Sequence, residues 1–137
     1  MKSIHLILDF HSGDPIYLQI VKQIRDLAAS GELLPGDQLP TVRQLASEIR
    51  VNFNTVARAY RLLDEARVIS TQQGRGTYIL EPQEDRLEEK IKEATLDARV
   101  RDALTSWLKD GYSLEEILEE VTKIVNNQET DPLIENQ

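Results

Sequence analysis

The chain has 137 residues, of which 40% are hydrophobic and 29% are charged, and its net charge is −8. This composition fits a soluble globular protein of one domain with a small appendage, and the absence of cysteine excludes disulfides and thiolate metal sites. No apolar run reaches the length of a membrane span, and residues 1–10 lack the pattern of a secretion signal, so a cytoplasmic location is the default expectation.

The N-terminal part predicts a short strand followed by a helix. Residues 5–10 are mostly apolar and favour a strand. A helix is predicted from Pro15, with Asp14 as its cap, and Gly31 marks its end. The apolar residues of this helix recur at helical spacing: Ile16, Ile20, Ile24 and Leu27.

Two further helices follow a turn at residues 34–37. Thr41 is the predicted cap of the second helix, and either Asn52 or Asn54 caps the third. The apolar stripe of the second helix is Val42, Leu45, Ala46 and Ile49, and that of the third is Val56, Ala59, Tyr60 and Leu63. Because only about four residues separate the two helices, they form a predicted helix-turn-helix unit.

A β-hairpin is predicted next. Residues 68–72 and 77–80 are rich in β-branched and aromatic side chains and flank the glycine-rich tip 73–76. The polar segment 81–85 is the best boundary, which predicts a winged helix-turn-helix domain over 1–80 and a helical tail over 81–137.

The tail predicts two helices, at about 86–110 and 113–126. Gly111 ends the first, and the spacing of Ser113 and Glu116 is that of a capping box at the start of the second. The predicted fold class is therefore mainly α with a small β-hairpin wing (α+β), in which an antiparallel helical module follows the winged domain.

Charge is distributed unevenly between these two parts. Residues 1–80 hold nine Lys/Arg and eight Asp/Glu, whereas residues 81–137 hold seven and sixteen. Within 38–80 six arginines face three acidic residues. The middle of the chain can therefore approach a polyanion, and the acidic tail cannot. An alternative interpretation of the acidic tail is that its charge only aids solubility.

The third helix predicts a polar surface for DNA. On a helical wheel Asn54, Arg58 and Arg61 each lie within about 40° of the point opposite Val56. Asn can pair with adenine and Arg with guanine or phosphate, and the distance of Arg61 from Asn54 along the axis assigns it to the DNA backbone. The alternative is an ordinary solvated helix face.

The hairpin tip and the second helix add to this surface. Gln73 and Arg75 stand among the glycines of the tip, where Arg suits a narrow minor groove. Arg43 begins the second helix, near the DNA backbone on which the third would dock. Each feature alone also fits a plain surface, but their order along the chain favours DNA binding.

Four segments carry a family resemblance: PIYLQI at 15–20, PGDQLPTVRQLA at 35–46, VNFNTVARAY at 51–60 and GRGTYI at 74–79. In this order and spacing, from about residue 8 to 80, the chain resembles the GntR family of bacterial transcription regulators. The short two-helix tail is similar to that of the YtrA subfamily, which implies a dimerisation module.

The resemblance implies DNA contacts from the start of helix two, the start of helix three and the wing. Together with the helical wheel, the predicted DNA-binding residues are Thr41, Arg43, Asn52, Phe53, Asn54, Thr55, Arg58, Arg61, Gln73, Gly74, Arg75 and Gly76.

The sequence departs from relatives at three positions. Phe53 replaces a residue that is commonly Pro, Ser or Arg, and either contacts a thymine methyl or packs. Ala57 stands where some members carry an arginine, so Arg58 depends on the wheel. Arg67 replaces the glycine that usually ends helix three, which leaves the angle of the wing open.

The tail predicts a homodimer, because two helices with apolar faces cannot bury both alone. A two-fold dimer would present two recognition helices to half-sites about 34 Å apart. The predicted interface residues are Leu104, Trp107, Leu108, Ile117 and Val121. Packing of the tail against the winged domain is the alternative. The 57 residues after position 80 are too few to enclose a drug-sized cavity, so an unknown small-molecule effector would bind between subunits.

No enzyme, cofactor or metal site is expected. His5 and His11 lack a third ligand at a convincing spacing, and no nucleophile elbow is present.

The sequence predicts a DNA-binding transcription regulator, specifically a homodimeric repressor that binds double-stranded DNA at a near-palindromic operator. The resemblance adds control of transporter genes. The alternative hypothesis is a protein-interaction adaptor that keeps the winged fold without DNA recognition.

Overall fold

The computed structural model describes residues 2–82 and 86–127. The elements in chain order are α1 (Ile16–Ser30), β1 (Gln38–Leu39), α2 (Val42–Ile49), α3 (Phe53–Glu65), β2 (Ile69–Gln72), β3 (Gly76–Ile79), α4 (Arg86–Lys109) and α5 (Leu114–Asn126). This is the predicted fold class, five helices with a small antiparallel sheet. The chain divides into two compact units, Met1–Arg99 and Val100–Gln137, which are described separately.

In the first unit, α3 packs against both α1 and α2. The predicted inward positions of α3 are all buried, and Leu45 and Ala46 of α2 join them. The buried face of α1 is wider than the predicted stripe, because Tyr17, Leu18 and Val21 are buried beside Ile20 and Ile24. The first helix therefore lies under much of the domain and fixes the position of α3.

Hydrogen bonds at the helix starts set where α2 and α3 begin. The Thr41 hydroxyl accepts the N–H of Gln44 at 3.0 Å, and the Gln44 side chain accepts the N–H of Thr41 at 2.9 Å. Asn52, rather than Asn54, caps α3 by accepting the Asn54 N–H at 2.7 Å. The predicted Asp14 cap of α1 is wrong: Pro15 occupies the cap position without a side-chain bond, and the Asp14 carboxylate pairs with the Lys22 ammonium at 3.3 Å instead.

Residues 5–10 do not form the predicted strand. The segment is extended, and the side chains of two glutamines of α1 form hydrogen bonds with its main-chain N–H and carbonyl groups instead. The Gln23 side chain accepts the N–H of Ile7 at 2.7 Å and donates to its carbonyl at 2.6 Å. The Gln19 side chain does the same for Asp9, at 2.8 and 2.9 Å. Because side-chain amides satisfy these main-chain groups, no partner strand is needed.

The predicted hairpin is confirmed as β2 and β3, which pair from Ile69↔Ile79 to Gln72↔Gly76. A third strand, β1, pairs with β3 on its other side and gives the order β1-β3-β2. Two residues are too few to show the alternation that predicts a strand. The sheet ties the wing to the turn before α2, where Asp37 accepts the Leu34 N–H at 2.8 Å. This hydrogen bond holds the pKa of the Asp37 carboxyl below its usual range.

Tyr60 fastens α3 to the segment that precedes α2. Its hydroxyl donates to the Pro40 carbonyl at 2.6 Å inside the core, and burial raises the pKa of this phenol, with the Glu48 charge adding to the effect. We expect Tyr60→Phe to lower the free energy of unfolding by about 1–2 kcal/mol, because a buried carbonyl loses its donor. Urea denaturation measures the change.

Tyr78→Phe is the matched control for this substitution. The Tyr78 hydroxyl donates to the Arg75 carbonyl, also at 2.6 Å, but this bond is exposed to solvent. Water can replace it, so the same chemical change should cost less than about 0.5 kcal/mol. Equal losses at Tyr60 and Tyr78 would contradict a special role for the buried bond.

The end of α3 resolves the question raised by Arg67. Its φ of 62° places it in the left-handed region, so the residue takes the conformation that a glycine would favour there. The Arg67 N–H donates to the Asp64 carbonyl at 3.0 Å. Arg67 therefore makes the same left-handed turn into β2 that a glycine would make at this position.

Residues 86–127 begin with α4 and form the two predicted helices. Leu87 and Ile91 are buried in the core of the first unit, which extends to Arg99. The start of α4 therefore shares the core of the winged domain. Of the predicted boundary segment 81–85, residues 83–85 lie outside the described residues. In the second unit α4 ends at Lys109, and Gly111, with φ 99°, allows the turn into α5. The predicted Ser113–Glu116 capping box is present.

Candidate nucleic-acid interface

The start of α2 positions Arg43 on the surface of the first unit. The Thr41–Gln44 capping box fixes the first turn, and Arg43 is the second residue of that turn, with an exposed side chain. The Thr41 hydroxyl oxygen is already used as the cap acceptor. Thr41 can therefore offer its hydroxyl hydrogen and one remaining lone pair to a ligand, whereas the Arg43 guanidinium offers several donors.

The start of α3 presents the polar residues predicted to face bases. Asn54 is exposed, and among the described residues its side chain has no hydrogen-bond partner. Asn52 uses its side-chain oxygen for the cap and keeps its amide donors. Phe53 is 49% exposed although it is a large apolar residue, and Thr55 is half-buried. This turn therefore combines an open amide with an apolar ring, which are groups that contact adenine and thymine methyl.

Further along α3, Arg58 and Arg61 lie on the side opposite the buried Val56, as the helical wheel predicts. Positions 53–61 contain no acidic residue. The outward side of residues 53–61 of α3 therefore carries polar and positively charged side chains beside the exposed Phe53 ring.

Two of the arginines on this surface lie over aromatic rings. The Arg43 guanidinium carbon is 5.9 Å from the centroid of the Phe53 ring, which joins α2 to the start of α3. The Arg58 guanidinium carbon is 4.0 Å from the centroid of the Tyr17 ring of α1. Sequence reasoning missed Tyr17 because it precedes Arg58 by two helices, and only its place in the family motif drew attention to this segment.

The wing places Arg75 at an exposed tip. The Arg75 N–H donates to the Gln72 carbonyl at 2.9 Å, which closes the turn around Gln73 and Gly74. Gly74 has φ 76°, which favours glycine. Gly76, with φ 100°, lies directly against the Gln38 side-chain amide, where a β-carbon would collide. The Gln38 amide is the end of a flexible side chain and could move aside, so it is the positive φ that favours glycine at position 76.

In the second unit, three of the five predicted interface residues, Trp107, Ile117 and Val121, line an open groove, and Leu104 and Leu108 do not. Trp107, Leu108 and Val121 are 40%, 45% and 45% exposed, and Leu104 and Ile117 are half-buried. The Tyr112 N–H donates to the Trp107 carbonyl at 3.1 Å in the turn after α4, which brings both aromatic residues to the groove. The groove has a volume of about 640 Å³ and is lined by Trp107, Tyr112, Glu116, Ile117, Glu119, Glu120, Val121 and Ile124.

Within residues 2–82 and 86–127, no group of three or more His, Cys, Asp or Glu side chains could hold a metal ion. None of the helices in this part of the chain is both long and apolar enough to cross a membrane.

Comparison with known proteins decides what this surface belongs to. The profile of the family described as "Bacterial regulatory proteins, gntR family" matches residues 16–79, which span α1 to the end of the wing. The transcriptional repressor YtrA of Bacillus subtilis is 38% identical over 115 residues, which cover 75% of this chain and 88% of that protein. The chain belongs to the GntR family.

Solved GntR-family structures agree with this assignment. YtrA from Sulfolobus acidocaldarius, a GntR-family transcription factor, is 34% identical, with a TM-score of 0.54 over 89% of this chain and 97% of its own. The DNA-binding domain of AraR, solved with operator ORX1, is 26% identical, with a TM-score of 0.50 over 56% of this chain and 99% of its own. This GntR protein is a DNA-binding transcription regulator with a YtrA-like helical tail.

Proposed function

We propose that the chain is a homodimeric repressor that binds a near-palindromic operator, with α3 in the major groove and the wing in the minor groove. The observation that carries this proposal is the exposed side of α3 over residues 53–61, which contain no acidic residue, beside an Arg-tipped hairpin. The first turn of α3 supplies the base contacts, because Asn54 is exposed and its amide is free to pair with adenine. Phe53 contacts a thymine methyl with its exposed ring.

The remaining predicted residues position the protein on the DNA backbone. Arg43, Arg58 and Arg61 bind phosphates, and Arg75 enters the minor groove. Thr41 and Asn52 contribute through the donors that their capping bonds leave free, and Thr55 contributes through its hydroxyl. Gln73, Gly74 and Gly76 shape and extend the wing tip. Because phosphate contacts are shared by every sequence, specificity rests on the start of α3 and on the wing.

The second unit supports the dimer. α5 has no buried residue, and its large apolar side chains are exposed together with those at the end of α4. The exposed large apolar residues here are Val100, Trp107, Leu108, Tyr112, Leu114, Leu118, Val121, Ile124 and Val125. An exposed apolar surface of this kind is typical of an interaction site. A second copy would cover it and pair two α3 helices for two half-sites.

The regulatory role completes the proposal. Bound at an operator in the cytoplasm, the dimer blocks transcription, and the genes that the family resemblance implies are transporter genes. Sequencing genomic fragments that the purified protein retains identifies the operator and the genes together. Retained fragments that share no common sequence would contradict sequence-specific binding.

Salt dependence of duplex binding tests the phosphate contacts. A dimer that contacts six to ten phosphates should lose about 10³–10⁵-fold in affinity between about 50 and 200 mM salt. Arg43→Ala should weaken binding to all duplexes and make the salt slope shallower by about 1 for each phosphate that the protein no longer neutralises. Fluorescence anisotropy with the retained operator measures both quantities.

Arg86→Ala is the charge-matched control for this experiment. Arg86 is also an exposed arginine, at the start of α4 and outside the proposed surface. Its removal should change the salt slope by much less than that of Arg43. Affinity that does not depend on salt, or equal effects of the two substitutions, would overturn the proposed surface.

A further inference from the structure

Arg58 differs from Arg61, the other outward-facing arginine of α3, in having a rigid aromatic support. Its guanidinium carbon lies 4.0 Å from the centroid of the Tyr17 ring, a distance at which the cation contacts the ring face. Arg61 is exposed on the same helix, yet in residues 2–82 and 86–127 it has no ring, hydrogen-bond or ion-pair partner.

The Tyr17 ring cannot follow the arginine if the arginine moves. Tyr17 is 8% exposed and belongs to the core cluster, beside Leu18 and Ile20 of α1, which are fully buried. A ring held by the core presents one fixed face. The guanidinium on that face has given up much of the rotamer freedom of a surface arginine.

The donors of Arg58 remain open while its face is occupied. No hydrogen bond or ion pair is found for this guanidinium in the part of the chain that the structure describes. Stacking uses the face of the planar group, whereas its N–H donors point outward in the plane and can bind two phosphate oxygens. Arg58 is also in the second turn of α3, beyond the first turn that faces the bases.

We propose that Tyr17 is a positioning residue for DNA binding, which holds Arg58 as a preformed clamp for one backbone phosphate. This inference rests on the proposed function, since it assigns a role within the same surface. It makes α1, which has no residue in the predicted DNA-binding set, part of the interface. It also gives a physical reason why Arg58 binds a phosphate, as the proposed function assigns it, rather than a base.

A double-mutant cycle tests whether Tyr17 acts through Arg58. Arg58→Ala should weaken operator binding about tenfold and make the salt slope shallower by about 1 per phosphate contact. Tyr17→Leu should weaken binding about two- to fivefold with Arg58 present, and should cause no further loss in the Arg58→Ala background. Tyr17→Phe should bind as the unchanged chain does, because the ring remains.

The matched cycle uses Arg61→Ala in place of Arg58→Ala. Tyr17→Leu and Arg61→Ala should weaken binding independently, so that their factors multiply. If the factors of Tyr17→Leu and Arg58→Ala also multiply, Tyr17 is only a core residue and the inference is overturned. If the unchanged chain binds duplex but Arg58→Ala has no effect, the clamp is wrong while the proposed function survives.

An isosteric series keeps the experiment decisive if Tyr17→Leu fails to fold. Pentafluorophenylalanine at position 17 retains the shape of phenylalanine but removes the negative ring face that attracts a cation. Relative to Tyr17→Phe, it should weaken operator binding about two- to fivefold and leave the thermal midpoint nearly unchanged. Equal affinities of the two folded variants would overturn the inference.

Discussion

Val121→Glu should convert the proposed dimer into a monomer and weaken operator binding by about 10²–10⁴-fold. Val121 lines the groove of the second unit with Trp107 and Ile117, and three glutamates line it as well. A fourth carboxylate would be buried by a partner without a counter-charge. The loss of affinity follows because one subunit then binds one half-site without the effective concentration supplied by the other. Light scattering after size exclusion gives the mass, and anisotropy gives the affinity.

Thr122→Glu is the control for charge on α5. Thr122 is exposed and adjacent in sequence, but it is absent from the groove lining. This variant should remain a dimer with nearly unchanged operator affinity. A Val121→Glu protein that stays dimeric and binds normally would show that this groove is not the interface.

Asn54→Ala should weaken operator binding by about 10- to 100-fold and relax specificity at one adenine of each half-site. The expectation follows from the exposed amide at the second position of α3, since a bidentate contact to adenine discriminates by about 1–3 kcal/mol. Because the Asn54 side chain makes no hydrogen bond within the described residues, the fold should not be destabilised. Binding to a set of operators with single base changes measures the effect.

The salt slope separates base recognition from phosphate binding. Asn54 carries no charge, so Asn54→Ala should leave the slope as it is, in contrast to Arg43→Ala. A uniform decrease in affinity over all base variants, together with an altered slope, would assign Asn54 to the DNA backbone and would contradict base recognition.

The order and type of the helices could be predicted because local signals and core packing agree. Thr41 and Ser113 are followed three residues later by Gln44 and Glu116, and both capping boxes form. The apolar spacing of α3 matches its buried side. The glycine-rich tip indicated the hairpin, since few other sequences allow the positive φ found at Gly74 and Gly76.

The features that sequence could not supply depend on partners distant in the chain. β1 exists only because Gln38 and Leu39 meet β3, and two residues carry no period of their own. Asp14 has the chemistry of a cap, yet an ion pair with Lys22, eight residues later, competed successfully for its carboxylate. Propensity ranks local choices and does not include such tertiary competitors.

In the candidate site, too, the features that depend on one helix could be predicted, and those that depend on contacts between helices could not. The wheel placed Asn54, Arg58 and Arg61 outward correctly, because it needs only the helical repeat and one buried residue. The rings under Arg43 and Arg58 required coordinates, since a helix wheel describes one helix at a time. The exposed Phe53 was noted as a departure, and the structure adds that its ring lies beneath Arg43.

The glutamine pair that holds the N-terminal segment sets its register. Gln19 and Gln23 are one helical turn apart, about 6 Å along the axis, and the residues that they hold, Asp9 and Ile7, are two apart on an extended chain, about 6.6 Å. Because the two spacings agree, the main-chain groups of the odd-numbered residues Ile7 and Asp9 meet the glutamines. The side chains of the even-numbered residues Leu6 and Leu8 pack against the core. Deleting a single residue between Asp9 and Pro15 would offer even-numbered residues to the glutamines and turn Leu6 and Leu8 out to water. The segment should therefore tolerate changes of side chain far better than changes of length.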